Sequence, residues 1–241
     1  MINKAIVLGV GPVDGLGGQL AVRFGSSGHH VFVAGRTQAS LDELSSVIEG
    51  SGGRATAVVT DATDELSIVN LLEAVDSEKG DLTLAIYNAG NNTPGRIIDM
   101  DADYFERSWR VLCFGGFLFG REALRRMQGL GGTLLFTGAS ASMRGRAGFA
   151  AFNSGKSALR ILAQAMAKEY GPDGIHVGHV VVDGPIGGEK IRKAFPEYAE
   201  KLGDAGMISI NGIVDAFDYL YRQPRNAWSF EVDVRTSIEE W

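Results

Sequence analysis

The stretch from Ile2 to Arg23 constrains the fold more than any other part of the chain. It runs Ile2-Asn3-Lys4-Ala5-Ile6-Val7-Leu8-Gly9, then a glycine-rich bend, then Leu16-Gly17-Gly18-Gln19-Leu20-Ala21-Val22-Arg23. A short apolar run bounded by glycine reads as a buried strand. After the bend, Leu16, Leu20 and Phe24 stand four apart, as one face of a helix requires. The chain therefore opens strand, turn, helix. The turn is Gly11-Pro12-Val13-Asp14-Gly15-Leu16-Gly17. Glycines permit the sharp bend and let a phosphate approach the backbone N–H groups. The helix that follows directs its positive N-terminal end at that phosphate. The spacing is Gly-x-x-x-Gly-x-Gly, distinct from the commoner Gly-x-Gly-x-x-Gly fingerprint.

Strand and helix patterns then alternate to the end of the chain. The sequence predicts strands at Val31–Ala34, Ala55–Thr60, Leu82–Tyr87, Thr133–Thr137, His176–Val182 and Trp228–Val234. Helices are predicted from Ser40 to about Glu49, from Glu65 to Glu78, from Asp103 to Met127 and from Phe149 to Tyr170. Residues 188 to 222 read as helices with a break near Gly203 to Gly206. No linker or repeat interrupts the pattern, so residues 1 to 241 are read as one domain. Alternation of this kind implies a mostly parallel sheet, covered on both faces, with right-handed crossovers. Ligands of such sheets bind at the carboxyl ends of the strands. The glycine turn, Arg36, Asp61, Asn88 and Ser140 all fall at those ends.

Composition narrows the classes of function. With 45% hydrophobic residues and 33 Gly against 6 Pro, the chain suits a packed α/β protein with many tight turns. Its net charge of −6, without a basic run, argues against a nucleic-acid partner. Cys113 is the only cysteine, which excludes an internal disulfide and fits a reducing compartment. The first strand begins at Ile2, leaving no room for a signal peptide, and no apolar run is long enough to span a bilayer. A cytoplasmic location is the expectation.

The glycine loop, Asp61, Asn88-Ala89-Gly90 after the fourth strand, and Lys156 in a long helix after the fifth occur in one order. In this the chain resembles the short-chain dehydrogenase/reductase family over essentially its whole length. The resemblance implies a doubly wound Rossmann sheet of seven strands that binds NAD or NADP, in a homodimer or homotetramer acting on a small molecule. It implies cofactor contacts from Gly11, Asp14, Gly15, Leu16, Gly17, Arg36, Asp61, Ala62, Asn88, Ala89, Gly90, Lys156 and Gly184. Asp61 would hold the adenine, and Asn88 would steady the strand beside the nicotinamide ribose. Asn91, Ser142, Phe152 and Asp183 would lie on the substrate side.

The chain departs from the family where its chemistry is done. The Tyr expected four residues before Lys156 is Phe152, and the Ser expected thirteen residues before that Tyr is Ala139, with Ser140 adjacent. The Asn of the preceding helix is replaced by Leu112. Of the four catalytic positions only Lys156 remains, with Ser140 as the neighbouring hydroxyl. A positioned acid contributes about 10²–10⁴ in rate, and phenylalanine has no proton to give. The leading expectation is an NAD(P)-dependent oxidoreductase with altered proton transfer. The alternatives are a cofactor-binding protein without catalysis and a non-redox enzyme that keeps the nucleotide structurally. NADP is expected over NAD: NAD binders place an acidic residue about 20 residues past the loop, and this chain has Gly35-Arg36-Thr37 there. Asp14 argues the other way, because NADP users often carry a basic residue in the loop.

Further expectations concern single residues. His176 and His179 lie three apart in a strand and so face opposite sides, which excludes a shared metal. His29-His30 is expected at the surface and Cys113 in an apolar interior, and Arg144 and Arg146 are read either as meeting an anionic substrate or, the preferred reading, as lying in a solvated loop. Leu159, Leu162, Ala163 and Met166 form a stripe that serves either a two-fold interface or the sheet.

Overall fold

The computed structural model describes residues 2–239. Seven strands form one sheet in the order β3-β2-β1-β4-β5-β6-β7, with every neighbouring pair parallel. They are β1 (Asn3–Leu8), β2 (His30–Gly35), β3 (Arg54–Val59), β4 (Asp81–Tyr87), β5 (Gly132–Thr137), β6 (Ile175–Val182) and β7 (Glu231–Val234). The helices are α1 (Leu16–Ser26), α2 (Gln38–Gly50), α3 (Glu65–Asp76), α4 (Ala102–Trp109), α5 (Gly115–Met127), α6 (Ala150–Tyr170), α7 (Glu189–Ala194), α8 (Pro196–Leu202) and α9 (Ile210–Arg222).

The central strands are apolar without alternation because both faces of the sheet are covered. Side chains of β1 point to the two faces in turn. Ile6 and Leu8 join Phe32, Tyr87, Phe119, Phe136 and Leu159 in one core, whereas Ala5 and Val7 join Leu20, Phe24, Val33, Leu44 and Phe217 in the other. Leu20 and Phe24, the predicted inner face of α1, are fully buried. Each such side chain contributes roughly 1.5–3 kcal/mol by burial. No helix among the described residues is long and apolar enough to cross a membrane.

The expected elements are found, with four informative differences. First, the last strand begins at Glu231, not Trp228. Trp228 instead stacks on His176 at 4.9 Å, and the Ser229 N–H is taken by the Gln223 side chain.

Second, the helix expected from Asp103 to Met127 contains a π-helical turn, Arg110–Phe114, between α4 and α5. Such a turn disturbs the regular hydrogen-bond ladder. The buried Tyr87 hydroxyl donates to the Val111 carbonyl at 2.6 Å and satisfies it. A Cβ on Gly115 would stand 2.4 Å from that hydroxyl and 2.5 Å from the Ala62 carbonyl, so only glycine lets α5 dock against the ends of β3 and β4.

Third, His29 and His30 are buried, not superficial. The ring of His29 lies between the Phe24 carbonyl and the Tyr221 hydroxyl, and His30 opens β2, where it bonds Thr56 and stacks on Phe32. Burial lowers the pKa of both.

Fourth, the α6 stripe faces the sheet: Leu159, Ala163 and Met166 are buried in the first core with Leu162 packed against it. Of the two roles open to the stripe, the structure shows the sheet.

Candidate functional site

The sheet order reverses its winding between β1 and β4, and a crevice opens there beyond the strand ends. The glycine turn fills one wall. Gly9, at φ +101°, turns the chain out of β1, and a Cβ there would lie 2.3 Å from the Ala89 nitrogen. A Cβ on Gly17 would stand 2.6 Å from the Gly9 carbonyl and 3.0 Å from the Asn88 amide nitrogen, so this glycine lets α1 press onto the strands. Gly18 does the same against the Val13 carbonyl at 2.4 Å, a requirement its mere presence in a helix did not reveal. Gly11 meets nothing within 4 Å and faces open space. Gln19 pins the turn by donating to the Val13 carbonyl at 2.9 Å. Gly15 caps α1 without any side-chain bond, so the first amides of the helix, including that of the buried Leu16, are not taken by a capping side chain. The exposed Asp14 lies beside the segment that leads into α7, its carbonyl 3.9 Å from the Cβ position of Gly188.

A continuous hydrogen-bond chain ties this wall to Lys156. The Asn88 amide donates to the Gly9 carbonyl at 3.0 Å, and its Oδ1 accepts from the Thr137 hydroxyl at 2.9 Å. The Thr137 carbonyl accepts from Lys156 Nζ at 2.7 Å. Thr137, at the end of β5, is therefore the hub between the expected residues. The sequence marks it only as a strand residue. Lys156 is 5% exposed, and burial pushes its pKa from 10.5 down to about 8. A Cβ on Gly90 would approach its Nζ to 3.5 Å, which puts Asn88-Ala89-Gly90 and Lys156 in one place.

Arg36 lies exposed just beyond β2. Asp61 follows β3, and its Oδ1 accepts from the Thr63 N–H and hydroxyl at 2.8 Å each. The Thr63 N–H holds its pKa below the ordinary value, aided by the Thr63 hydroxyl and the charges of Arg36 and Arg110. Ala62 is buried beneath α5.

The substrate side is less as expected. Phe152, one turn before Lys156, is half-buried, and Asn91 is exposed. Ser140 opens a short 3-10 turn, Ser140–Ser142, at the end of β5 and is half-buried. Ser142 does not offer its hydroxyl to a ligand: it is 7% exposed and donates to the Ala139 carbonyl at 2.7 Å. Asp183 is buried behind Arg144. It is 2% exposed, and Arg144 closes on it with bonds of 2.9 and 3.3 Å. Arg144 and Arg146 are exposed, as a solvated loop requires, yet Arg144 is also paired, and Arg146 lies over the Phe149 ring at 4.9 Å. Gly184 follows Asp183, half-buried. Leu112 is fully buried and packs on Gly155, where a Cβ would come within 2.7 Å of it.

His176 and His179 do face opposite sides, toward Trp228 and Glu231 respectively. Glu231 also takes a two-pronged bond from Arg160 at 2.6 and 2.7 Å, and burial pushes the His179 pKa down to about 4. Among the described residues no group of three or more His, Cys, Asp or Glu is arranged to hold a metal ion. Cys113 is buried, as expected.

A glycine turn at the switch point of a parallel, doubly wound sheet defines a dinucleotide-binding α/β protein. Residues 4–193 match the family model described as short chain dehydrogenase, and the chain belongs to that family. It is 34% identical to a short-chain dehydrogenase from Rhodopseudomonas palustris, with a TM-score of 0.83 over 97% of this chain and 98% of that one. It is 30% identical to a short-chain dehydrogenase/reductase of Armillaria gallica over 76% of this chain and 70% of that protein. An uncharacterized oxidoreductase of Bacillus subtilis is 29% identical over 78% of this chain, but the match spans 28% of that longer protein. A 7 alpha-hydroxysteroid dehydrogenase complexed with NADH shares the fold, with a TM-score of 0.88 at 23% identity.

Proposed function

We propose that this protein is an NAD(P)-dependent oxidoreductase that reduces or oxidises a small organic molecule without a tyrosine proton donor. The bond chain Gly9–Asn88–Thr137–Lys156 carries the reading, because it fixes a phosphate-binding turn and a buried lysine in one rigid frame. The residues fit a dinucleotide: Gly11 borders open space and Gly15 leaves the α1 amides uncapped by a side chain. Leu16 and Gly17 would offer their amides to the pyrophosphate, Asp61 and Ala62 would flank the adenine, and Ala89, Gly90, Lys156 and Gly184 would surround the nicotinamide ribose. Arg36 favours NADP over NAD, because a guanidinium pairs with a 2′-phosphate. The bound nicotinamide would supply or accept the hydride.

The chain's own residues then set the chemistry. Lys156 binds and orients through its three donors. Phe152 offers an apolar wall one turn away. The hydroxyl of Ser140, or water, is the proton source, so an activated double bond or an imine suits the site better than a simple ketone. The loss of Tyr, Ser and Asn at the positions of Phe152, Ala139 and Leu112 also supports a second reading, in which the protein binds the nucleotide without turnover. Titration with NADP and NAD, followed by carbonyl, enone and imine substrates over bound cofactor, tests both: cofactor oxidation by any of them selects the first, and tight binding without turnover the second. The protein is further proposed to act in the cytoplasm as a homodimer or homotetramer. Since the α6 stripe is spent on the core, pairing would use the outward Phe117 and Ile161.

A further inference from the structure

The geometry points to a substrate that carries a carboxylate, held by Arg144. This deepens the oxidoreductase reading and rests on it. Arg144 lies in the loop between β5 and α6, four residues past Ser140. The loop is held firmly: the Asn153 amide donates to the carbonyls of Arg144 at 2.7 Å and Ala141 at 3.1 Å. Asp183 aims the guanidinium with its two-pronged bond, and Asp183 is itself fixed by its N–H bond to the Val234 carbonyl at 2.9 Å. A guanidinium presents five donors in a fork, so one carboxylate leaves part of it open, and its side chain remains 43% exposed.

A second carboxylate already stands there. Glu239 Oε1 lies 3.6 Å from Arg144 Nη2, and Glu239 Oε2 is 3.7 Å from the Cβ position of Gly184. The contact is longer than a hydrogen bond, and the Glu239 N–H donates to the Thr236 carbonyl within its own turn at 3.3 Å. Asp183 is thus the permanent partner and Glu239 a replaceable one. The chain stations a carboxylate on an arginine beside the turn proposed to border the nicotinamide. Exchange of that carboxylate for a substrate's leaves the charge of the Arg144–Asp183–Arg235–Asp233 cluster unchanged. A substrate carboxylate able to reach the N–H donors that Asp183 leaves open would gain the directed pairing that Glu239 lacks. The sequence offers Arg144 as a candidate for an anionic substrate, but only the fold brings it together with Asp183 and Glu239.

The test is calorimetric titration of the NADP-loaded protein with pentanoate and with methyl pentanoate, NADP binding being measured in the same samples. Pentanoate should bind and the ester should not. Glu239→Gln should tighten pentanoate binding about two- to fivefold, the effect of removing one partly exposed ionic competitor. Arg144→Gln should weaken it about tenfold or more, and Arg144→Lys should fall between. Glu239→Gln, at a half-buried position near the end of the chain, carries the test if Arg144→Gln does not fold. Pentanoate affinity unmoved by Glu239→Gln, with NADP still bound, would overturn the carboxylate assignment and leave the nucleotide reading standing. Failure of NADP and NAD to bind any variant, wild type included, would overturn both.

Discussion

Replacing Lys156 with methionine separates binding from stability, because at pH 7 nucleotide affinity should fall while stability changes little. The ammonium is buried with a single protein acceptor, the Thr137 carbonyl. Its pKa falls from 10.5 to about 8, with desolvation as the cause. At 1.36 kcal/mol per unit, that difference places a penalty of about 3 kcal/mol on the charged lysine in the folded protein. Methionine keeps the apolar stem and removes the charge. It also removes a bond from a charged donor, worth roughly 1.5–3 kcal/mol. At pH 7 the two effects should nearly cancel, leaving Lys156→Met within about 2 kcal/mol of wild type. Their pH dependence does not cancel. Below pH 8 the lysine is charged folded and unfolded, and the penalty is fully present. Between pH 8 and 10.5 the unfolded chain binds the proton that the folded protein has lost, so wild-type stability rises with pH. Urea unfolding of both proteins from pH 6.5 to 10.5 should show wild type gaining up to about 3 kcal/mol on the variant. NADP affinity at pH 7 should meanwhile fall by about 1–3 kcal/mol in Lys156→Met. A stability difference that stays flat or declines above pH 8 would refute the buried-charge argument. Unchanged NADP affinity would refute the binding role.

Other substitutions test the remaining parts. Phe152→Tyr alone should restore little ketone reduction, whereas Phe152→Tyr with Ala139→Ser and Leu112→Asn should exceed the sum of the single effects in kcat/KM, since groups that act as a unit are not additive. Arg36→Ala should weaken NADP about tenfold and NAD hardly at all, measured by parallel titration; equal losses would remove the 2′-phosphate role. Tyr87→Phe leaves the Val111 carbonyl without its partner and should cost about 1–3 kcal/mol in urea unfolding. Gly115→Ala should cost more, and Tyr87→Phe should rescue it only in part, because the Ala62 carbonyl still blocks the new Cβ. Light scattering at micromolar concentration should report a dimer or tetramer that Ile161→Asp weakens; a monomeric wild type would discard the oligomer.

Much of the architecture was legible in the sequence because it depends on local rules. Apolar runs of strand length, apolar spacing of four, and glycines at the bends are written residue by residue. Hence the seven strands, the switch-point crevice and the placement of Gly11, Gly17, Arg36, Asp61, Asn88 and Lys156 at strand ends or in the long helix are all found. Contacts between distant segments were not legible, because side-chain pairing depends on register and packing that no spacing rule contains. Thr137 became a hub only when β5 lay beside β4 and α6 crossed its end. Gly115 proved indispensable only against Tyr87 and Ala62. His29 and His30 went inward because α9 and β3 supplied hydroxyls for them. The stripe on α6 was correctly seen as apolar, but its direction, onto the sheet, was visible only once the core had assembled. The same distinction divides the site. Sequence determined the chemistry available at each position, since a phenylalanine at 152 lacks a phenol in any fold. Tertiary structure alone decided what the remaining charges do: burial lowers Lys156 toward neutrality, and Asp183, hidden at the end of β6, turns Arg144 from a loop arginine into an aimed one.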